Sequence, residues 1–329
     1  MNKKREKRIV LFLTTFITLA VALVIVLKFS SDKSKASTLG YFNTYSNVVG
    51  IELDSGYTSA QAMNICNNMA YHIKVANSGT VNEGKARIWA YDLKNNKNYV
   101  VYNGNTSNKV FSIGHANCMY VGTNSLYIAT QESGKASIYN YKIGKSNGKY
   151  YLYNKKEYKL YSHNTNVTAP IACTGINYAS ELGGFIVKNG HHIYLGKFSG
   201  DKFAWTKHYT IDTKLKVNTN KGTENIDVTN YIKQGMFYRG GKLYMPMTNN
   251  KKKNQSIIVV YNLNANTKNN SVIPEFSTEF FRITSSTYSK LFEIESVARH
   301  NGELYMNVNA TDAYGKNHDR IIKMKNFSF

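Results

Sequence analysis

Two glutamates, Glu293 and Glu295, flank a single apolar residue in a segment with the alternating pattern of a β-strand. Because side chains alternate across a strand, residues two apart share a face, so the two carboxylates are predicted to be neighbours. Like charges held that close are costly unless a proton, a cation or a hydrogen-bond donor balances them. One glutamate could therefore act as a general acid with His115 as its partner, or the pair could help to hold Ca²⁺.

Glu295 also belongs to a pattern that occurs five times in the sequence. In each copy one residue, which we call the lead residue, precedes a short apolar strand, and a second strand with the order apolar, aromatic, apolar follows. The five lead residues are Gln61, His115, Thr174, Gln234 and Glu295, spaced by 54, 59, 60 and 61 positions. Asn117 and Glu293 lie two positions from a lead residue, and hence on the same strand face. A period of about 60 residues is typical of a repeat architecture.

Each repeat continues with a third alternating strand, and turn residues then lead to a fourth. Asn301-Gly302 and Gly240-Gly241 predict tight hairpin turns, because Asn and Gly adopt positive φ at little cost. The 26 Tyr and 23 Gly suit strands and turns. Five units of four antiparallel strands predict an all-β, five-bladed β-propeller.

The last repeat shows only three strands before the chain ends, whereas an unmatched strand, residues 48–53, precedes the first repeat. This strand is predicted to complete the fifth blade, so that the closed ring has no exposed edge and remains a monomer. The propeller then covers residues 47–329, and residues 37–46 form a short tether.

The inner strand of each propeller blade lines a central channel, so the lead residues are predicted to converge near one mouth of it. Converging polar groups in a concave site are the default hypothesis for ligand binding. A narrow channel could also be polar only because its side chains hydrogen-bond one another and water. The predicted ligand-binding residues are Gln61, His115, Asn117, Gln234, Glu293 and Glu295.

Five basic residues between Lys3 and Arg8 precede an uncharged run at residues 9–27, an order that predicts export. The run of 19 residues is long enough to cross a bilayer as a helix and favours a retained anchor. Ser34-Lys35-Ala36 offers a cleavage site instead, so residues 1–36 are either a signal anchor or a signal peptide. The protein is expected outside the cell, secreted or held to the membrane.

The chain has 42 Lys and Arg against 20 Asp and Glu. Without residues 1–36 it retains 34 basic and 18 acidic residues, a net charge of +16. A surface of that sign attracts polyanions, which outside a cell are wall polymers, anionic lipids and acidic glycans rather than nucleic acid. Runs such as Lys251-Lys252-Lys253 could equally serve only to keep a Tyr-rich protein soluble.

Other signatures are absent from the sequence. Cys66, Cys118 and Cys173 are odd in number and far apart, so a disulfide framework is excluded and buried thiols are favoured over one bridge. No G-x-S-x-G, H-E-x-x-H, P-loop or paired-Cys metal spacing occurs. No catalytic residue, metal ligand or cofactor is assigned, apart from the Ca²⁺ alternative above.

Three motifs occur in order along the chain: Gly114-His115-Ala116-Asn117 with Leu126–Thr130, Gln234-Gly235 with Leu243–Met245, and Glu293–Ser296 with Leu304–Met306. They resemble a helveticin J-like family of exported proteins of Gram-positive bacteria. The resemblance spans residues 60–325 and implies a class III bacteriocin, a large heat-labile protein that kills related bacteria at the envelope. His115, Gln234, Glu293 and Glu295 are the matching motif positions. The chain departs from the family in its long N-terminal apolar segment and at Thr174.

Two hypotheses follow. The first is a secreted or surface-displayed propeller that binds an anionic wall polymer or glycan of Gram-positive bacteria and acts as a helveticin-like bacteriocin. The alternative is an extracellular glycosidase or polysaccharide lyase in which Glu293 or Glu295 is the acid or base and His115 its partner. A propeller hosts both activities, so the architecture does not choose between them.

Overall fold

The computed structural model describes residues 40–42, 45–51, 56–132, 135–162, 170–219, 222–263, 271–272 and 280–324. Within these ranges the chain forms strands joined by turns and loops, with one short 3₁₀ helix at Ser180–Leu182. The all-β class expected from the composition is confirmed.

The strands are arranged in five blades, and two strands precede the first blade: β1 (Gly40–Phe42) and β2 (Tyr45–Gly50). Blade 1 consists of β3 (Ser59–Cys66), β4 (Met69–Val75), β5 (Lys85–Asp92) and β6 (Lys97–Asn103), with β7 (Phe111–Ser112) beside β5. Blade 2 consists of β8 (Cys118–Val121), β9 (Ser125–Glu132), β10 (Lys135–Ser146) and β11 (Lys149–Tyr158).

Blade 3 consists of β12 (Gly175–Ala179), β13 (Gly184–Asn189), β14 (His192–Ser199) and β15 (Lys202–Ile211), and a separate hairpin of β16 (Lys214–Thr219) and β17 (Gly222–Asp227) follows it. Blade 4 consists of β18 (Tyr231–Lys233), β19 (Phe237–Arg239), β20 (Lys242–Asn249), β21 (Gln255–Asn262) and β23 (Phe280–Thr284). Both β18 and β19 pair with β20. The short strand β22 (Ser271–Val272) lies between β21 and β23 in the chain but pairs with β15 of blade 3. Blade 5 contains β24 (Leu291–His300), β25 (Glu303–Thr311) and β26 (Arg320–Met324).

The innermost strands form a closed ring. Each contacts the next in the order β3, β8, β12, β19 and β24, and β24 contacts β3 again. Along each blade the strands then pair antiparallel from the centre outwards. This is the five-bladed propeller that the repeat predicts.

The N-terminal strand completes the fifth blade, as predicted. β2 pairs antiparallel with β26, with Tyr45 opposite Met324 and Gly50 opposite Arg320. The strand lies at 45–50 rather than 48–53, and residues 52 and 53 lie outside the described residues. β1 belongs to the predicted tether, but it pairs in parallel with β23 of blade 4. The residues before the ring are therefore fastened to two blades.

Four apolar clusters lie between neighbouring blades rather than within single ones. One joins blades 1 and 2, the largest joins blades 2, 3 and 4, and the other two join blade 4 to blade 5 and blade 5 to blade 1. Blades 1 and 2 are also linked at their outer edges, where β6 and β11 pair in parallel. Burial of apolar surface therefore holds the ring together around its whole circumference.

The predicted hairpin turns are confirmed. Asn301 and Gly302 have φ values of 48° and 78°, and Gly240 and Gly241 have 59° and 78°. Each pair connects an inner strand to the second strand of its blade. The positive φ at both central positions is what a type I′ turn requires.

The N-terminal helix predicted within residues 1–36 lies outside the described residues. In the part of the chain that the structure describes, no helix has the length and apolar character needed to cross a membrane.

Candidate functional site

The lead residues lie at the end of the ring where the inner strands begin, which we call the channel mouth. Gln61 is in β3, Glu295 is in β24, His115 and Thr174 precede β8 and β12, and Gln234 lies between β18 and β19. The loops that join the second strand of a blade to the third open at the same end. The mouth is thus built from all five blades.

Several lead segments meet at the axis. The Gly235 backbone N–H donates to the Glu295 carbonyl oxygen at 2.9 Å, and the Ser296 hydroxyl donates to the Gln61 carbonyl oxygen at 3.4 Å. A Cβ atom on Gly235 would lie 2.9 Å from that Glu295 oxygen and 3.4 Å from the carbonyl oxygen of Asn117. Backbones from blades 2, 4 and 5 therefore converge where only glycine leaves enough room.

Lead residues coincide with breaks in the regular pairing of their inner strands. In blade 5, Ile294 and Ser296 oppose consecutive residues of β25, so Glu295 is an extra residue. In blade 1, the pairing of β3 with β4 shifts between Ala60 and Met63, around Gln61. In blade 4, Gln234 lies in the gap between β18 and β19. Bulges of this kind re-aim side chains and are frequent beside functional sites.

The two glutamates are in contact, as their spacing predicts. Glu295 is only 3% exposed, and its carboxyl group hydrogen-bonds that of Glu293. Burial raises the pKa of Glu295 well above its usual range, and the charge of Glu293 and the hydrogen bond to it raise it further. Glu295 therefore holds its proton to a higher pH than an exposed glutamate does, and its protonated form can donate to Glu293.

The donor that balances Glu293 is Gln234 rather than His115. The Gln234 Nε2 atom donates to Glu293 Oε1 at 2.5 Å, which links blades 4 and 5 across the mouth. We call Gln234, Glu293 and Glu295 the mouth triad. Glu293 and Gln234 are partly exposed and can accept from and donate to hydroxyl groups, whereas Glu295 is buried and bonds Glu293.

His115 faces a different space. It lines a cavity of about 260 Å³ beside the mouth, between blades 1 and 2, together with Glu83 and Gln131. The His115 side chain is exposed on one side, and partial burial lowers its pKa. The prediction that His115 balances the two carboxylates is therefore replaced by two neighbouring sites, the triad and this cavity.

The remaining predicted residues have structural contacts. Asn117 Oδ1 accepts from the Gln131 backbone N–H at 2.8 Å, and Thr174 bonds the Lys188 carbonyl oxygen through its own N–H at 2.8 Å. The Gln61 side chain is buried, and the backbone carbonyl oxygen of this residue accepts from Asn307 Nδ2 at 2.8 Å. These residues shape the mouth by fixing the starts of the inner strands.

Cys118 packs near the axis, three positions beyond His115. Its Sγ atom lies 3.5 Å from the Ile176 carbonyl oxygen and 3.5 Å from the backbone nitrogen of Met236. The thiol is buried, so the inner strands of blades 2, 3 and 4 pack against one another around it. All three cysteines are free thiols.

Sequence reasoning missed two buried lysines near the axis. Lys74 of β4 forms an ion pair with Asp319 at 3.1 Å, with both side chains fully buried. Lys188 of β13 is also fully buried, and its amine has no hydrogen-bond partner among the described residues. Burial lowers the pKa of Lys188 to about 8. A lysine inside an apolar strand, as in Ile73-Lys74-Val75, was the available signal.

A basic loop borders the triad. Lys251, Lys252 and Lys253 are exposed in the turn between β20 and β21, at the mouth end of blade 4. The Phe292 backbone N–H donates to the Lys253 carbonyl oxygen at 2.8 Å, so the loop is fixed next to Glu293. Cationic side chains and the hydrogen-bonding triad are thus parts of one surface.

The mouth shows no metal centre. Among the described residues, no group of three or more His, Cys, Asp and Glu side chains is arranged to hold a metal ion. The Ca²⁺ alternative, which rested on the two carboxylates and neighbouring amides, stays a prediction.

No family model matches the chain, and no curated protein matches it. Solved structures with a similar arrangement include a GH43 β-1,3-galactosidase bound to galactodeoxynojirimycin (9% identity, 86% of this chain and 100% of that chain, TM-score 0.42). A β-xylosidase is 11% identical over 85% of this chain and 94% of its own, with a TM-score of 0.43. A protein of the DUF4221 family from Bacteroides vulgatus is 8% identical over 85% and 98%, with a TM-score of 0.40. Similarity at this level assigns neither a family nor an activity to the chain.

Proposed function

We propose that this protein is an exported propeller that binds a glycan carrying anionic groups, such as a cell-wall polymer of Gram-positive bacteria, at its channel mouth. The observation that carries the proposal is the mouth triad next to the exposed loop Lys251–Lys253. Sugar hydroxyls would pair with the Glu293 carboxylate and the Gln234 amide, the two partly exposed members of the triad. Phosphate or carboxylate substituents would lie against the lysines.

Binding is favoured over hydrolysis by the spacing of the two glutamates. Glycosidases hold their two carboxyl groups roughly 5 Å or more apart, on either side of the bond that breaks. Glu293 and Glu295 are hydrogen-bonded to each other, which leaves no room for a glycosidic bond between them. As a pair they can grip a hydroxyl group but cannot flank a scissile bond.

The proposal is tested by the binding of purified teichoic acid at increasing salt concentration. Replacing Lys251, Lys252 and Lys253 with Gln should weaken binding and flatten its salt dependence, because fewer counterions are exchanged. The matched control replaces three exposed lysines of blade 3 and its hairpin, Lys197, Lys207 and Lys216, with Gln. Binding that ignores salt, or equal affinities of the two triple variants, would contradict the electrostatic part of the proposal.

Gln234→Ala tests the triad itself. It removes the amide that holds Glu293 and should weaken binding of the polymer by about tenfold without changing the salt dependence, because a hydrogen-bonded contact and no net charge is lost. An unchanged affinity would place the polymer elsewhere on the surface.

One observation favours a second candidate function, a glycosidase or lyase. The raised pKa of Glu295 favours its protonated form, which is the state that a general acid requires. A digest of wall polysaccharide should then release reducing ends or unsaturated sugars, and Glu295→Gln should abolish this release. Product formation of that kind would replace the binding proposal.

Killing of related bacteria, which the resemblance to the helveticin J-like family implies, stays a prediction. A growth-inhibition assay with purified protein on Gram-positive indicator strains tests it. Mass spectrometry of the mature N-terminus tests whether residues 1–36 are removed. A released protein can act on other cells, whereas a tethered one would act as an adhesin or wall sensor.

A further inference from the structure

A second cavity lies at the end of the ring opposite the channel mouth. It has a volume of about 320 Å³ and opens between blades 1 and 2, where β3 and β8 end. Its lining includes Cys66, Tyr71, Asn124, Lys145 and Tyr150. We call it the distal cavity. Its volume falls at the lower end of the range of small-molecule sites.

One wall of the distal cavity is aromatic and cationic. The Tyr150 ring packs against Tyr99 with 5.1 Å between ring centres, and the Lys145 amine lies 4.9 Å from the Tyr150 ring centre. A hydrogen bond to Tyr150 raises the pKa of Lys145, so this amine stays charged. The nearby Asp92 carboxylate, which also acts on Lys145, is engaged by the backbone N–H groups of residues 94 and 95.

The opposite wall supplies a neutral hydrogen-bonding group. Tyr71 is 5% exposed, and its pKa is raised by burial and by the neighbouring Tyr150 and Cys66. Its phenol therefore stays protonated and can donate to or accept from a hydroxyl group. Further lysines extend the positive rim, with Lys97 above Tyr99 at 5.2 Å and Lys149 above Tyr102 at 5.4 Å.

The aromatic rings, the Tyr71 phenol and the Lys145 ammonium group each suit a different part of the same ligand. Aromatic side chains offer an apolar face against which a sugar ring packs, the phenol suits its hydroxyl groups, and the ammonium suits a negative substituent. We propose that the distal cavity binds a sugar ring that carries one anionic substituent, a phosphate or a carboxylate. The site is separate from the mouth triad, so it stands whether or not the proposed function holds.

The test measures binding of N-acetylglucosamine 1-phosphate and glucuronate to the full chain by saturation-transfer NMR and calorimetry, with N-acetylglucosamine and inorganic phosphate as comparison ligands. The charged sugars should bind more tightly than either comparison ligand. Lys145→Gln should weaken their binding by about tenfold, the loss expected for one charge-assisted hydrogen bond, and leave binding of the neutral sugar unchanged. Tyr150→Ala should abolish binding of all the sugars.

Two controls keep the result specific. Lys197→Gln removes the same charge from an exposed lysine of blade 3, and Gln234→Ala alters the channel mouth. Neither should change the affinity for the charged sugars by more than about twofold. Because Tyr150→Ala removes a ring that packs against Tyr99, its folding is checked by thermal unfolding, whereas Lys145 is exposed and its replacement does not disturb the core.

Cys66 reports where the ligand sits. It is half-buried and lines the distal cavity, whereas Cys118 and Cys173 are buried elsewhere. Saturating ligand should slow alkylation of Cys66 by iodoacetamide at mildly alkaline pH, as read by mass spectrometry. The proposal is overturned if no charged sugar binds, if phosphate alone binds as well, if Lys145→Gln has no effect, if Gln234→Ala abolishes binding, or if Cys66 is not protected.

Discussion

Lys74 and Lys188 are both fully buried lysines on the second strand of a blade, yet their charges are handled differently. Lys74 lies at the junction of blades 1 and 5 and is paired with Asp319, whose carboxylate also accepts from the backbone N–H groups of Ala60 and Ala310. Lys188 lies between blades 3 and 4 without a partner among the described residues, and its pKa is lowered to about 8. The charge of Lys74 is compensated by a carboxylate, whereas Lys188 loses its proton more easily than an exposed lysine.

The difference reflects where the ring closes. Blades 1 and 5 are joined through residues far apart in the chain, and polar contacts fix their register: Lys74 to Asp319, Asn307 to the Gln61 carbonyl, and Asn317 to the Thr58 carbonyl at 3.1 Å. Blades 3 and 4 belong to the largest apolar cluster and do not need such contacts. A buried ion pair adds little net stability, but it makes one closure much better than its alternatives.

The largest expected effect is at the closure. Lys74→Met leaves the Asp319 carboxylate buried without its cation and should lower the free energy of unfolding by about 3–5 kcal/mol. Urea denaturation should show a lower midpoint with an unchanged slope. Lys94→Met, at an exposed turn of the same blade, is the matched control and should stay within about 0.5 kcal/mol of the original protein. A loss below about 1 kcal/mol for Lys74→Met would show that the ion pair does not secure the ring.

The effect at Lys188 should have the opposite sign. Lys188→Met replaces an unpartnered buried amine with an apolar side chain of similar length, and it should raise the free energy of unfolding at pH 7. The pKa of about 8, against 10.5 for an exposed lysine, sets this gain at up to about 3 kcal/mol.

The pH dependence distinguishes this cause from better packing. Because the unfolded chain holds the Lys188 proton up to a higher pH than the folded one, the unmodified protein gains stability relative to the variant as the pH rises from about 8 to 10.5. The advantage of Lys188→Met should therefore shrink over this interval. An advantage that is constant with pH would mean that the amine pays no desolvation cost.

Much of this fold follows from the sequence because a propeller repeats one local pattern. The period located the inner strands, and Asn301-Gly302 specified its hairpin by backbone conformation alone. The unmatched N-terminal strand predicted closure, since a three-stranded last blade would expose an edge. The start of that strand was misplaced by three residues, because Tyr45, Ser46 and Asn47 lack the apolar pattern and are held by pairing with β26.

The functional site was harder to predict from the sequence than the fold. The contact between Glu293 and Glu295 follows from their spacing along the strand. Which side chain donates a hydrogen bond to Glu293 depends instead on how blade 4 is oriented relative to blade 5, which the sequence does not reveal. Gln234 reaches Glu293 because of the gap between β18 and β19, whereas His115 turns towards blade 1. The distal cavity joins residues from five strands and two turns, and no single stretch of sequence marks it.

A third buried titratable group, Glu295, should give a smaller effect than either lysine. Its pKa is raised, so the folded protein holds this proton to a higher pH than the unfolded chain, and the resulting stability is lost as the pH rises above the ordinary range of glutamate. Glu295→Gln keeps a donor to Glu293 and removes this titration. The variant should match the original protein near pH 4 and exceed it by about 1 kcal/mol at pH 8, as measured by urea denaturation. A difference between the two proteins that does not grow from pH 4 to pH 8 would show that the pKa of Glu295 is not raised in the folded protein.

The smallest expected effect is the coupling between the two lysines. Lys74 acts at the junction of blades 1 and 5 and Lys188 in the cluster of blades 2 to 4, and they share no partner. The changes in the free energy of unfolding caused by the two replacements should then be additive within about 0.5 kcal/mol. Lys188→Met should therefore stabilise the Lys74→Met protein by the same amount as it stabilises the original protein. The measurement is a double-mutant cycle in urea at pH 7. A coupling energy above about 1 kcal/mol would contradict this prediction. It would mean that the loss of the ion pair at the junction of blades 1 and 5 also changes the surroundings of Lys188 in blade 3. The two lysines would then belong to one coupled network and not to two independent regions.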